Sequence, residues 1–260
     1  MTSSIGSVYD EGFFAKVTKQ GLDSARIIVP LLLKLVHSTS VVDVGCGTGA
    51  WLKVFQENGV KKICGLDGSD VDQAKLQIDP TSFIKANLAH PIDISERYDL
   101  VICLEVAEHL PPSQAPHLTH TLASLAPLIL FSAAIPGQGG TNHINEQWPS
   151  YWKKLFAENG FKRLDPIRRH IWNDNRIPSW YRRNIFLYAA AEAIDRSEAL
   201  KEEERLAELD IIYIEFLKSH NTLRGVLKSM PKLFCDAVER RINNYVSRKP
   251  SRVIRNEQTD

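Results

Sequence analysis

From about Tyr9 to Ala191 the chain alternates short apolar runs with amphipathic stretches, and then its character changes. Apolar positions at helical spacing predict one or two helices over Tyr9–His37. Pro30 marks a break or kink there, because proline brings no N–H to the helical ladder. Ser40–Val44 reads as a buried strand, followed by a glycine turn and a helix over Ala50–Asn58 that Gly59 stops. Further strands are predicted at Lys62–Leu66, Ser82–Ala86, Tyr98–Leu104 and Leu128–Ala134. Helices are predicted from Pro111-Pro112-Ser113 to Ala126 and from Trp148 to Asn159. Phe161–His170 and Asn184–Ala191 read as two last strands joined by an aromatic, polar loop.

Strands that alternate with helices specify an α/β fold, a doubly wound, seven-stranded and mostly parallel sheet. The late pair suits an antiparallel edge hairpin. Beyond Glu192 the chain becomes highly charged, with apolar residues at helical spacing over Arg196–His220 and Thr222–Val246 and a polar tail from Ser247 to Asp260. The expected organisation is a helical segment at 1–38, a core at 39–192 and a C-terminal helical appendage at 193–260.

A composition of 43% hydrophobic and 24% charged residues is that of a globular protein, which excludes a disordered or fibrous class. The net charge of +1 supplies no electrostatic footprint for nucleic acid, so nucleic acid is not an expected partner. The longest apolar stretches, around Ile27–Val36 and Leu122–Ile135, fall short of the roughly 20 residues of a bilayer span. The N-terminus lacks a basic and apolar leader. Four cysteines (Cys46, Cys64, Cys103, Cys235) have neither paired nor metal-ligand spacing, and three lie in or beside apolar runs. The expected location is the reducing cytoplasm.

The chemistry begins at the first strand's end, Asp43-Val44-Gly45-Cys46-Gly47-Thr48-Gly49. Glycines between a strand and a helix let the backbone approach a ligand closely. Gly45, Gly47 and Ala50 also fit a dinucleotide fingerprint, but Asp43 would repel a pyrophosphate and welcome an ammonium. Together Asp43-x-Gly45-x-Gly47-x-Gly49 resembles the first motif of class I S-adenosylmethionine (SAM) methyltransferases, a Rossmann-like family. The resemblance implies that Gly45 and Gly47 underlie the methionine part of SAM and that Asp43 orients its amino group. It implies ribose recognition by Asp67 and an adenine contact at Asn87, with Cys46, Leu88 and Glu105 completing the expected cofactor-binding set.

After the fourth strand stands Glu105-Val106-Ala107-Glu108-His109. If this segment turns helically, Glu105, Glu108 and His109 share one face. Later, His143 comes to the same rim of the sheet, where open α/β sheets bind their ligands. Glu-x-x-Glu-His at this point resembles small-RNA 2′-O-methyltransferases and ubiquinone-pathway O-methyltransferases. That resemblance implies a divalent cation, Mg²⁺, held by Glu105, Glu108, His109 and His143. Two other readings stay open: a metal-free site in which His143 or His109 is general base, and Glu108 and His109 as ordinary helix-start residues.

The Ile135-Pro136-Gly137-Gln138-Gly139-Gly140 loop resembles methyltransferases of carbohydrate gene clusters. Trp148, Tyr151 and Trp152, and the stretch Trp172–Arg183, interleave aromatics with polar groups that suit a sugar, or else pack the core. Tyr9, Phe13 and Phe14 could cover the donor or simply pack. The expected activity is O-methylation of a carbohydrate or other diol-bearing acceptor, assisted by Mg²⁺. The alternatives are an RNA 3′-terminal 2′-O-methyltransferase, a natural-product methyltransferase and a non-catalytic SAM-binding partner. The basic C-terminal helices are available for self-association or for an anionic surface.

Overall fold

The computed structural model describes residues 11–68, 71–88, 90, 94 and 96–206. The helices expected beyond Leu206, and the side chains of Tyr9, Phe13 and Phe14, lie outside the described residues.

Seven strands form one sheet: β1 (Ser40–Val44), β2 (Lys62–Asp67), β3 (Phe83–Lys85), β4 (Leu100–Leu104), β5 (Leu128–Ser132), β6 (Phe161–Leu164) and β7 (Phe186–Ala190). Their order is β3-β2-β1-β4-β5-β7-β6. The first five run parallel, and β7 is antiparallel to both β5 and β6. The expected sheet is the observed one. Chain direction across the sheet reverses between β1 and β4, and the crevice there opens at the strands' carboxyl ends.

Period-two alternation divides the core between the two faces. Val41, Leu100, Ile102 and Leu130 point to one face, and Val42, Val101, Cys103, Ile129 and Phe131 to the other. Helices α1 (Glu11–Leu35) and α2 (Ala50–Glu57) cover the first face with Ile28, Leu32, Leu52 and Phe55, all at 0% exposure. Helices α3 (Ala115–Leu125) and α4 (Pro149–Glu158) cover the second with Leu118, Leu122, Trp152 and Phe156. Each large apolar side chain so buried contributes about 1.5–3 kcal/mol. Pro30 lies inside α1 without ending it, so Glu11–Leu35 is one helix. No helix among the described residues is long and apolar enough to cross a membrane.

Phe161–His170 is not one strand. β6 stops at Leu164, and α5 (Arg168–Ile171) follows Asp165-Pro166. Pro166 cannot supply a ladder N–H. The Arg168 guanidinium folds onto Asp165, donates to the Arg183 carbonyl at 3.0 Å and lies 4.0 Å above the Phe186 ring. The loop beyond contains α6 (Ser179–Asn184), so Asn184 ends a helix rather than opening β7. Two short helices close the described chain, α7 (Ala191–Asp195) and α8 (Glu198–Arg205), with Ile194 and Leu200 packed into the first-face core.

Candidate active site

At the tip of β1 the chain turns through three left-handed glycines, Gly45 (φ 87°), Gly47 (φ 53°) and Gly49 (φ 81°). Gly45 leaves no room for a side chain, since a Cβ there would stand 2.2 Å from Val106 Cγ2. At Gly47 a Cβ would instead enter open space. Three hydrogen bonds tie the bend to β2: Gly45 N and Cys46 N donate to the Leu66 carbonyl at 2.8 and 3.1 Å, and Gly47 N donates to Asp67 Oδ2 at 2.6 Å. The Gly68 N–H occupies the other Asp67 oxygen at 2.6 Å. Asp43 is 3% exposed; burial, with the nearby Asp67 charge, pushes its carboxyl well above the usual range. A cationic ligand group would relieve both effects.

At the tip of β4, Glu105 takes the left-handed φ of 56°, rare for a residue with a side chain. It is followed by a single 3₁₀ turn, Ala107–His109, rather than a full helix. Glu108 is 0% exposed, and neither carboxyl oxygen receives a well-aligned hydrogen bond, although the backbone N–H groups of Glu108 and Ala134 and the Glu105 carboxyl lie beside it. Burial, together with the Glu105 charge, pushes the Glu108 carboxyl up to about 9. Its backbone carbonyl accepts from Ile144 N at 2.9 Å and Asn145 N at 3.0 Å, which fastens the His143 loop to this turn. The His109 and His143 rings meet edge to face, 5.0 Å apart. One ligand atom from each of Glu108, His109 and His143 lies within 4.8 Å of the others. Burial and the neighbouring His143 lower the His109 pKa, which keeps His109 neutral and its lone pair available.

Glu105 stands outside that trio. Gln138 Nε2 donates to its Oε2 at 2.9 Å, and Gln138 Oε1 in turn accepts from Arg183 Nη2 and Asn184 Nδ2, both at 2.9 Å. A cavity of about 770 Å³ joins Asp43 and the glycine bend to Glu105, Glu108, His109 and His143. Asp67, Asn87 and Leu88 do not line it; Asn87 is exposed and Leu88 packs at the second-face core. Of the aromatic candidates, Trp180 and Tyr181 line the cavity, whereas Trp152 is buried in the core and Trp148 is 46% exposed away from the lining. Asp174 and Arg176 bind each other.

Sequence reasoning missed Gln138, Arg183, Asn184 and Glu146. Glu146 accepts from Gly137 N at 2.7 Å and Gly139 N at 2.8 Å, and it lies 3.1 Å from His143 Nδ1. Paired glycines before an acid three residues past a histidine were the available signal.

The sheet order, with the glycine bend at the tip of β1, is that of the class I methyltransferase fold. A family model described as a methyltransferase domain matches residues 19–149, and the chain belongs to that family. It is 26% identical over 152 residues to the ubiquinone biosynthesis O-methyltransferase of Rhodopseudomonas palustris (strain TIE-1), 56% of each chain. It is 27% identical over 146 residues to that of Bradyrhizobium diazoefficiens, 54% of each. The chain thus matches about half the length of these curated relatives. Among solved structures, magnesium protoporphyrin IX methyltransferase from Synechocystis PCC 6803 with bound SAH superposes with a TM-score of 0.50 at 21% identity, covering 72% of this chain and 90% of that one. A sugar N-methyltransferase from Streptoalloteichus superposes with a TM-score of 0.53 at 14% identity, covering 73% and 98%. Both likenesses concern the fold.

Proposed function

We propose that this chain methylates a hydroxyl of a carbohydrate or another vicinal diol, with SAM as donor and a divalent cation, Mg²⁺, at the acceptor. One observation carries the reading: the fully buried Glu108 carboxyl, which receives no well-aligned hydrogen bond, beside two imidazoles in the cavity that also holds the glycine bend. The open space at Gly47 and the buried Asp43 carboxyl fit a donor that brings its own positive charge. SAM supplies a methyl on a cationic sulfonium. Asp43 would hold the donor's ammonium, the Gly45–Gly47 backbone would lie under its methionine portion, and Asp67 would face its ribose. Asn87 and Leu88, beyond the cavity lining, would meet the adenine.

The acceptor side follows from charge. An uncompensated buried carboxyl favours a cation, and an oxygen beside two imidazole nitrogens is a plausible donor set for a divalent metal. Glu108, His109 and His143 would hold the ion, with Glu105 kept beside them by Gln138. The bound cation supplies Lewis acidity, which lowers a hydroxyl's hold on its proton. In a site without the cation, His109, whose pKa burial and His143 lower, would take the hydroxyl proton as general base. The O-methyltransferase names of the curated relatives support oxygen as the methylated atom. The aromatic wall of Trp180 and Tyr181 supports stacking against a ring. The buried thiols of Cys46, Cys64 and Cys103 support a reducing, cytoplasmic setting.

Labelled-methyl transfer from SAM to a panel of saccharides and small diols, with and without EDTA, tests the proposal. Transfer to at least one diol, lost with EDTA and restored by Mg²⁺ or Mn²⁺, is expected. Transfer indifferent to EDTA removes the cation, and transfer to nitrogen acceptors alone removes the hydroxyl.

A further inference from the structure

The 137–146 loop closes on itself through one carboxylate. Glu146 Oε2 accepts from Gly137 N at 2.7 Å, and Oε1 accepts from Gly139 N at 2.8 Å. Gly137 (φ 84°) and Gly139 (φ 69°) adopt the left-handed conformation that turns both N–H groups inward, a concave anion site of the kind backbone nests form. Here the protein's own carboxylate is the anion. Its third contact is His143 Nδ1 at 3.1 Å, in a place where the two side chains are only 13% and 19% exposed.

An ionised carboxylate can only accept, so the imidazole nitrogen facing it must carry the proton. The lone pair of the neutral ring then lies on Nε2. The opposite edge of the ring is fixed as well. A Cβ on Gly140 would stand 2.2 Å from His143 Nε2 and 2.3 Å from Cε1, so only a glycine lets the ring lie where it does. His109 is set alike, with its Nδ1 3.3 Å from the Asn142 carbonyl, which can only accept.

We infer that Glu146 is a positioning residue: it locks His143 as the Nδ1–H tautomer, so that Nε2 is the nitrogen offered to the site shared with Glu108 and His109. The consequence for catalysis rests on the proposed methyl transfer; the tautomer does not. Carboxylate partners behind metal-binding histidines fix ring orientation and raise basicity, and losing one typically costs 10–100-fold in affinity or activity. In Glu146→Gln a single amide oxygen must serve three donors, and the new NH₂ opposes one of them.

Long-range ¹H–¹⁵N spectra of the full chain, labelled at histidine and free of metal and donor, read the tautomer directly. The wild type is expected to show His143 purely as Nδ1–H, and Glu146→Gln to show a mixture or the Nε2–H form. In Mn²⁺ titrations followed by electron paramagnetic resonance, Glu146→Gln should bind about 10–100-fold more weakly, with kcat lowered and the KM for SAM within about twofold. Gly140→Ala, whose φ is ordinary, should displace the ring and give the same Mn²⁺ defect while Glu146 keeps its peptide hydrogen bonds. A wild-type His143 protonated on Nε2, or a Glu146→Gln protein with wild-type tautomer and Mn²⁺ affinity, overturns the inference. If Glu146→Gln does not fold, the wild-type spectrum decides. If the wild type binds no Mn²⁺ and the tautomer still depends on Glu146, the cation reading falls and the positioning role stands.

Discussion

The two glycine loops that line the cavity are built alike and used differently. The bend after β1 and the loop at 137–140 both present left-handed glycines, and each is closed by a carboxylate: Asp67 accepts from Gly47 N in one, and Glu146 accepts from Gly137 N and Gly139 N in the other. The bend is anchored to a neighbouring strand, through Asp67 and the Leu66 carbonyl, and leaves open space at Gly47. The second loop is anchored within itself and to the backbone of Glu108, and the space beside Gly140 is already filled by His143. On the proposed reading one loop seats a ligand and the other brackets a side chain. The same backbone geometry takes its role from whatever occupies the space beside it.

That contrast is broken most sharply at Glu108. Glu108→Gln should lower turnover on the order of 10³-fold, while the Kd for S-adenosylhomocysteine by calorimetry stays within about twofold of wild type. Loss of donor binding instead would mean that the two sides of the cavity are not separate. Asp67→Ala should weaken donor binding by about 10–100-fold, the cost of a lost charge-assisted hydrogen bond of about 1.5–3 kcal/mol; an unchanged Kd contradicts its ribose role. A smaller effect is expected at Gly65, where a Cβ would stand 2.8 Å from Cys46 Sγ and 3.1 Å from Leu52 Cδ1. Gly65→Ala should cost about 1–3 kcal/mol in denaturant unfolding and disturb donor affinity through Cys46, with the His109–His143 pair untouched.

The least effect on the site is expected from the far end of the sheet. Burial alone would raise the Asp99 carboxyl, but donors from Thr39 (N at 2.7 Å, Oγ1 at 2.8 Å) and Ser40 N (3.0 Å) outweigh it and hold Asp99 below the usual carboxylate range. A depressed folded-state pKa stabilises above the unfolded value of about 4 and is lost as pH falls through the folded value. Asp99→Asn should therefore flatten the fall in stability below about pH 4 and leave donor affinity unchanged. A shifted donor Kd would show that the strand ends are coupled.

The same contrast explains what was legible in the sequence. Sheet class and most strand positions followed from short, continuous apolar runs between amphipathic stretches, and the bend was readable because Asp43, Gly45, Gly47 and Gly49 are neighbours in the chain. Phe161–His170 misled because Leu164 and Ile167 continue an apolar pattern past Pro166, while the side-chain interactions that turn Arg168 inward include groups as distant as Arg183 and Phe186. The helical reading of Glu105–His109 failed for a backbone reason, the left-handed Glu105. It is the later His143, rather than Glu105, that gathers with Glu108 and His109. Gln138 was invisible because its partners lie 33, 45 and 46 positions away.

The most direct test is a calorimetric titration of the folded, metal-free protein with S-adenosylhomocysteine. Saturable single-site binding is predicted, kept in Glu108→Gln and severely weakened in Asp43→Ala. A wild-type protein that takes up no ligand, or an Asp43→Ala protein that binds it as tightly as the wild type, would contradict the account.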